Sequence, residues 1–295
     1  MIRKSTFLLL RVPFSFFLMP VYFFALSQAP EIDYGRALLA FVILHFFIYP
    51  ASNGYNSFMD RDTGSIGLLK TPPPAHKELF YVTLLLDGAA VLLSLFLGTV
   101  FTLCALANIA ASRAYSYRGI RLKKLPITGF LTVIIFQGAI TYFMVFTGAS
   151  PAEVPSFSRE GLFVPWPAML ISSLLFGSLY PLTQIYQHQQ DMADDVKTIS
   201  YQLGYMGTFV FSAFMYLLAE VLLFFYLEER GQGTHFWLLQ LFFLPVMLYF
   251  LYWWHKVWRE RKNASYRYAM QMNAIAATCT NAGFLLLFYL NHWAA

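Results

Sequence analysis

Nine apolar runs, each about twenty residues long, follow one another through this chain with little between them. They read approximately as 7–27, 36–56, 79–98, 100–118, 127–148, 166–186, 207–228, 236–257 and 268–291. A helix crosses the hydrocarbon core of a bilayer in about 20 residues. Inside lipid a backbone satisfies its own polar groups only as a helix or a closed barrel. The third and fourth runs are nearly continuous. They divide at Gly98-Thr99, because about 40 residues exceed one crossing. Charged residues are 12% of the chain and apolar ones 58%, against about 25% charged in a soluble domain. The expectation is an all-α integral membrane protein with nine transmembrane helices, built as a single membrane domain over residues 1–295.

The loops alternate in charge. The N-terminus and the loops near 57–78, 113–126, 187–206 and 256–267 hold every Lys and Arg except Arg36, Arg159 and Arg230. The other set of loops carries Glu31, Asp33, Glu153, Glu160, Glu228 and Glu229, and includes a Pro-rich connection near 149–165. The excess of positive charge places the first set inside. The expected location is therefore multi-pass in a bacterial inner membrane, with the N-terminus cytoplasmic. Arg3 and Lys4 before an apolar run ending at Ala25-Leu26-Ser27 resemble a signal peptide. Arg11, Pro13 and Pro20 interrupt that run, so a retained first helix is expected. The pI of 9.1 comes from short basic loops between spans, which argues against nucleic acid as a partner. Cys104 and Cys279 fall inside apolar runs and read as small core residues.

Two loops on the basic side are acidic. The first runs from Asn53 through Asn56, Asp60 and Asp62 to Gly64. The second runs from Gln184 through His188, Asp191, Asp194 and Asp195 to Lys197. If each stretch continues its helix, Asn56 and Asp60 share one face, as do Asp191 and Asp195. Like charges at that spacing repel unless a cation lies between them. Such helix ends suit a hard divalent cation, and Mg²⁺ takes one or two carboxylates with water and phosphate oxygens. The polar run Gln184 to Gln190 extends the end of an apolar helix, where polar side chains usually line a cavity. The connection between them is basic, from Arg113 through Tyr115, Arg118 and Arg121 to Lys123 and Lys124. It can serve anionic lipid or neutralise a leaving diphosphate. Lys70, Lys77 and Lys197 are further cationic candidates. Asp87 and Glu220 fall within apolar runs and receive no role.

In combination these residues resemble the UbiA superfamily of intramembrane prenyltransferases. The resemblance covers nearly the whole chain. The family's first motif is Asn-Asp-x-x-Asp-x-x-x-Asp. Asn56 and Asp60 match its Asn and central Asp, while Ser57 and Gly64 replace its other acids. The second motif, Asp-x-x-x-Asp, is intact as Asp191 and Asp195. Tyr115 through Lys123 resemble the family's Tyr- and Lys-bearing loop. The resemblance implies a helical bundle with a central cavity and a cytoplasm-facing site. It implies Mg²⁺ held by Asp60, Asp191 and Asp195, with Asn56 as a neutral ligand. Asn56, Lys70, Arg118, Lys123 and Lys197 would bind a prenyl diphosphate, and Lys123 would act in catalysis. Asp62, Asp194, Tyr115 and His188 are secondary candidates. The acceptor would be a small aromatic or hydroxyl-bearing molecule. Beyond membrane lipid, no protein partner is inferable. Two further readings stand beside this one. The incomplete first motif suits a non-catalytic prenyl-lipid binder. An ion-coupled transporter would instead need acids deep within the spans.

Overall fold

A computed structural model describes residues 3–151 and 164–294. The expected loop residues Glu153, Pro155, Arg159 and Glu160 lie outside them. Among the described residues the regular structure is helical throughout. Seven helices are long and apolar enough to cross a membrane: α1 (Lys4–Gln28), α2 (Tyr34–Asp60), α3 (Lys77–Leu97), α5 (Pro126–Gly148), α7 (Ile199–Glu229), α8 (Gly233–Arg259) and α9 (Tyr266–His292). The fourth and sixth apolar runs form α4 (Thr99–Ser116) and α6 (Trp166–Gln184), of 18 and 19 residues. Asn108, Ser112 and Arg113 dilute the apolarity of α4, and Ser172, Ser173 and Ser178 that of α6. That dilution is why length and apolarity count seven crossings where nine were expected.

Several helices are interrupted where the sequence demands it. Gly98, at φ +95°, makes the turn that separates α3 from α4, at the division read from the sequence. Gly204, at φ +67°, breaks α7 near its start. Its conformation is open to glycine and costly for other residues. Arg11, at φ +46°, ends the first turns of α1, and a 3-10 segment Val12–Leu18 follows with Pro13 at its head. Wider π turns occupy Ile43–Ile48 in α2 and Ile135–Ile140 in α5. Such turns are rare and cluster at functional sites.

The core runs through the middle of the bundle, where Phe24, Ile43, Leu44, Tyr142, Leu223 and Phe284 pack together. α5 and α6 touch closely at Gly138. A Cβ there would lie 2.5 Å from the Cα of Ser173, so only glycine permits the approach. One end of the bundle is tied by Arg36. Its Nε donates to the carbonyls of Ser150 at 2.7 Å and Gly148 at 3.1 Å, and Nη2 donates to that of Leu97 at 2.8 Å. These contacts gather the loops after α1, α3 and α5. The loops after α2, α4 and α6 meet at the opposite end, and there the charged residues collect.

Candidate functional site

α2 delivers the first acidic group. It ends at Asp60 because Arg61 turns left-handed, at φ +55°, and closes the last turn on the carbonyl of Ser57. Asp60 therefore keeps its helical direction and faces inward, its side chain 6% exposed and ion-paired with Lys123. Arg121 lies 3.6 Å from its other oxygen. One turn earlier, Asn56 donates its amide to Ser116 Oγ at 3.0 Å. Its own amide oxygen stays available on the same face as Asp60. Beyond the turn, Asp62 accepts a hydrogen bond from Gln190, and the Gln187 amide donates to Ser65 O at 3.3 Å. The two acidic loops are thereby clasped together. A Cβ at Gly64 would stand 2.3 Å from Gln190 Oε1, so glutamine occupies the space beside the place of the family's missing acid.

The second loop departs from expectation. Its stretch does not continue α6. A separate short helix, His188–Ala193, carries Asp191 and closes as Val196 N–H donates to Asp191 O at 2.8 Å. This six-to-one closure is a Schellman motif, whose hallmark is a left-handed residue just past the helix. Here that residue is Asp195, at φ +54°. The i, i+4 register with Asp191 is lost. Asp195 points outward, 80% exposed, and accepts from Lys124 at 2.6 Å. Asp194 turns the other way, onto Arg121, with Arg118 at 3.8 Å.

A charged chamber of about 240 Å³ is lined by Asn56, Asp60, Asp62, Tyr115, Lys123, Gln190, Asp191 and Asp194, and by Arg11 from α1. Of the residues singled out in the sequence, the structure brings Asn56, Asp60, Asp62, Tyr115, Lys123, Asp191 and Asp194 together here. Asp195, Lys70, Arg118 and Lys197 do not line it. Arg118 instead donates to Met59 O at 2.8 Å. His188 is buried away from the chamber, bonded to Ser200 Oγ at 2.8 Å and stacked on Tyr205 with centroids 4.9 Å apart. The hydroxyls of Tyr115 and Tyr180 hydrogen-bond to each other beneath the charged groups. Asp87 pairs with Arg113 at 2.9 Å between helices.

Sequence reasoning gave no place in the site to Arg11 or Tyr180, and named Gln190 only as the end of a cavity-lining polar run. For Arg11 the signal was there, as the single cation inside the first apolar run. For Tyr180 nothing set it apart from its neighbours.

The acids of this chamber are short of compensation. Burial pushes the Asp191 carboxyl up to about 7 despite the opposing pull of Lys123, and Asp62 and Asp60 add to the rise. Burial and then Asp60 push Asp62 up to about 6. Asp60 Oδ1 and Asp191 Oδ2 are buried without a hydrogen-bond donor. Among the described residues no three His, Cys, Asp or Glu side chains converge tightly enough to hold an ion alone. That combination fits a hard divalent cation completed by ligand oxygens and water, the usual manner of Mg²⁺. Transition metals favour imidazole or thiolate, and neither lines the chamber.

An apolar chamber of about 240 Å³ adjoins the charged one. Phe17, Val21, Phe24, Leu175, Phe176 and Phe284 are among its walls. The two share Phe14, Ser52, Asn53, Val133, Gln137, Tyr180, Thr183 and Asn273. These residues form a collar, mostly of neutral polar groups, between a charged compartment and an oily one. A ligand with an anionic head and a hydrocarbon tail matches the pair.

The profile of the UbiA prenyltransferase family matches residues 17–275. Among solved structures, the apo form of a UbiA homologue from Aeropyrum pernix K1 is 18% identical. The alignment covers 94% of this chain and 98% of that one, with a TM-score of 0.67. A UbiA homologue from Archaeoglobus fulgidus, bound to GPP and Mg²⁺, is also 18% identical, over 97% and 99%, with a TM-score of 0.66. A digeranylgeranylglyceryl phosphate synthase is 17% identical over 97% and 96%, with a TM-score of 0.61. At these identities the likeness is one of fold. No curated protein matches.

Proposed function

The chain belongs to the UbiA prenyltransferase family, and from that premise we propose that it is a Mg²⁺-dependent enzyme moving an isoprenoid chain from a prenyl diphosphate to a small acceptor within the membrane. The observation that carries this reading is the junction of the charged chamber with the apolar one across a shared collar. A diphosphate head fits the first and a prenyl tail the second. On the charge asymmetry of the loops, the charged end faces the cytoplasm.

In this reading Asp60 and Asp191 would hold the metal, with Asn56 and Asp62 beside them. Bound Mg²⁺ would supply neutralisation of the diphosphate. Lys123, now engaged by Asp60, exchanges that partner for a phosphate oxygen and neutralises the departing diphosphate. Arg121 stays tied to Asp194 and fixes the loop that carries Lys123. Tyr180 and Phe14 stand at the collar, where the allylic carbon would develop positive charge. Their π faces stabilise a cation, and the apolar walls below keep water from it. Once the allylic C–O bond to the diphosphate has broken, the acceptor attacks at the collar, where Ser52, Asn53 and Gln137 offer neutral hydrogen-bonding groups to an aromatic or hydroxyl-bearing molecule, and the proton it loses passes to the departing diphosphate.

Asp195 sits outside this arrangement, exposed and paired with Lys124. The competing reading, a non-catalytic binder, is favoured by Ser57 and Gly64 in place of acids. Diphosphate release separates the two. Purified protein with Mg²⁺ and prenyl diphosphates should release diphosphate when an acceptor is supplied and lose that activity in chelator. Binding without release under every acceptor would make it a binder.

A further inference from the structure

We propose that Arg11 is an anion-binding residue of the charged chamber, holding a phosphate oxygen of the ligand's diphosphate head. The assignment rests on the prenyl-diphosphate reading above. Arg11 interrupts the first apolar run, and a cation within a span is costly unless it has work or a partner. Its backbone is left-handed, a conformation L-residues avoid, so its position is not that of a regular helix residue. The side chain is 9% exposed and lines the charged chamber.

Its partners are few. Nη2 donates to Asn53 O at 3.3 Å, and the guanidinium lies 5.5 Å from the Phe14 ring. Nε is buried with no acceptor. Among the described residues Arg11 makes no ion pair, whereas the other cations lining or closing the chamber do: Lys123 with Asp60, Arg121 with Asp194. Asp60 and Asp62, which share its chamber, make their direct contacts elsewhere, Asp60 with Lys123 and Asp62 with Gln190. A lysine could escape such a position by losing its proton. Arginine cannot, so it stays charged, with Asp60 and Asp62 acting on it only through space, and its buried Nε can still donate to an anion.

The location says what that is. Phe14, one turn further along the chain, lines both chambers. Arg11 therefore stands on the charged side of the boundary, where a head group joins its tail. Lys123 approaches from the connection between α4 and α5, and Arg11 from α1. An anion with several oxygens can meet both cations at once. A guanidinium presents paired donors that match phosphate oxygens.

The test is ligand binding to purified protein in nanodiscs, using three probes: inorganic pyrophosphate with Mg²⁺, geranyl diphosphate with Mg²⁺, and geraniol. Arg11→Gln should weaken both anions by about 10- to 100-fold, the range for a hydrogen bond to a charged group. Geraniol, which has the tail without the charge, should bind as before. Arg11→Lys keeps the charge without the fork and should fall between, which also covers the case in which Arg11→Gln fails to fold. The unliganded thermal midpoint of Arg11→Gln should match or exceed the parent's. Unchanged affinity for both anions overturns the proposal. So does an equal loss for geraniol with a lowered midpoint, the mark of a structural role. If the parent itself binds neither anion, the prenyl-diphosphate reading fails, and the assignment of Arg11 falls with it.

Discussion

The loop with the damaged motif places both of its acids inside the chamber, and the loop with the intact motif places only part of its set there. After α2, Ser57 and Gly64 stand where acids are usual, yet Asp60 and Asp62 both line the charged chamber. After α6, Asp191 and Asp195 keep the family's spacing, yet only Asp191 lines it, with Asp194. The difference lies in where each helix stops. Asp60 is the last residue of a long helix and inherits its direction. Asp195 is the left-handed residue that closes a helix of six residues. A four-residue spacing brings two side chains together only while the helix lasts. Spacing in a motif is thus a statement about geometry that a helix cap can cancel.

The largest expected effect tests what the two loops share. Asp60→Asn and Asp191→Asn should each lower diphosphate release by at least about 100-fold, because both remove charge where the metal and head group are proposed to meet. Each variant should still elute as the parent does in detergent. Parent-like release from either would remove that loop from the site.

Next comes the contrast within the second loop. Asp194→Asn breaks a pair with buried Arg121 and should lower release about 10-fold, since that pair positions the loop bearing Lys123. Asp195→Asn breaks an exposed pair with Lys124, of the kind that contributes little, and should stay within about threefold. Reversal of this order would mean that the second loop rearranges on binding ligand and brings Asp195 inward.

A smaller effect is expected from restoring the first motif. In Gly64→Asp the new side chain meets the end of Gln190, a flexible group that can swing away. The protein should fold, lose the clasp between Gln190 and Asp62, and need about two- to fivefold less Mg²⁺, since one more carboxylate faces the cation. A magnesium titration of diphosphate release reads this directly. A raised requirement would show that the clasp matters more than the acid.

Much of the fold was legible. The apolar runs coincide with the long helices, and the division at Gly98 is a real turn, because bilayer thickness and glycine conformation are local properties. α7 begins at Ile199, earlier than its apolar run at 207, because a kinked polar turn at Gly204 carries no apolar signal. In the site, Asn56, Asp60, Asp191 and Lys123 could be read from type and spacing. The outward turn of Asp195 could not, since it depends on a cap whose left-handed residue is not glycine. Nor could the inward place of Asp194, which Arg121 sets from a loop some seventy positions away. Arg11 was visible as a lone cation, but that it lines the charged chamber with Nε unpaired depends on how the helices pack.

The last contrast concerns what holds each loop in place. The first loop is held by a carboxylate accepting from an amide, Asp62 with Gln190. The second is pinned by an imidazole, His188 with Ser200 and Tyr205. Burial pushes His188 down to about 4 from its ordinary value of 6.5. Between those values the opened loop takes up a proton that the closed loop refuses. The stabilisation from His188 is therefore complete above about pH 6.5 and lost as the pH falls toward 4. Asp191, in the same loop, is raised to about 7 and has the opposite sign. Its closed form holds a proton more readily than its open form, so its contribution is present at low pH and lost as the pH rises through 7. The two offset each other, which makes the net change small and a single-variant comparison necessary. Hydrogen exchange of residues 188–198, corrected for the intrinsic rate, should lose protection between pH 7 and 5 by a larger factor in the parent than in His188→Gln. Residues 61–70 should differ less between the two proteins, because that loop feels His188 only through its clasps to Gln187 and Gln190. Equal slopes for 188–198 in the two proteins would mean that the imidazole does not hold the second loop, and that its anchor lies in the salt bridge between Lys124 and Asp195 instead.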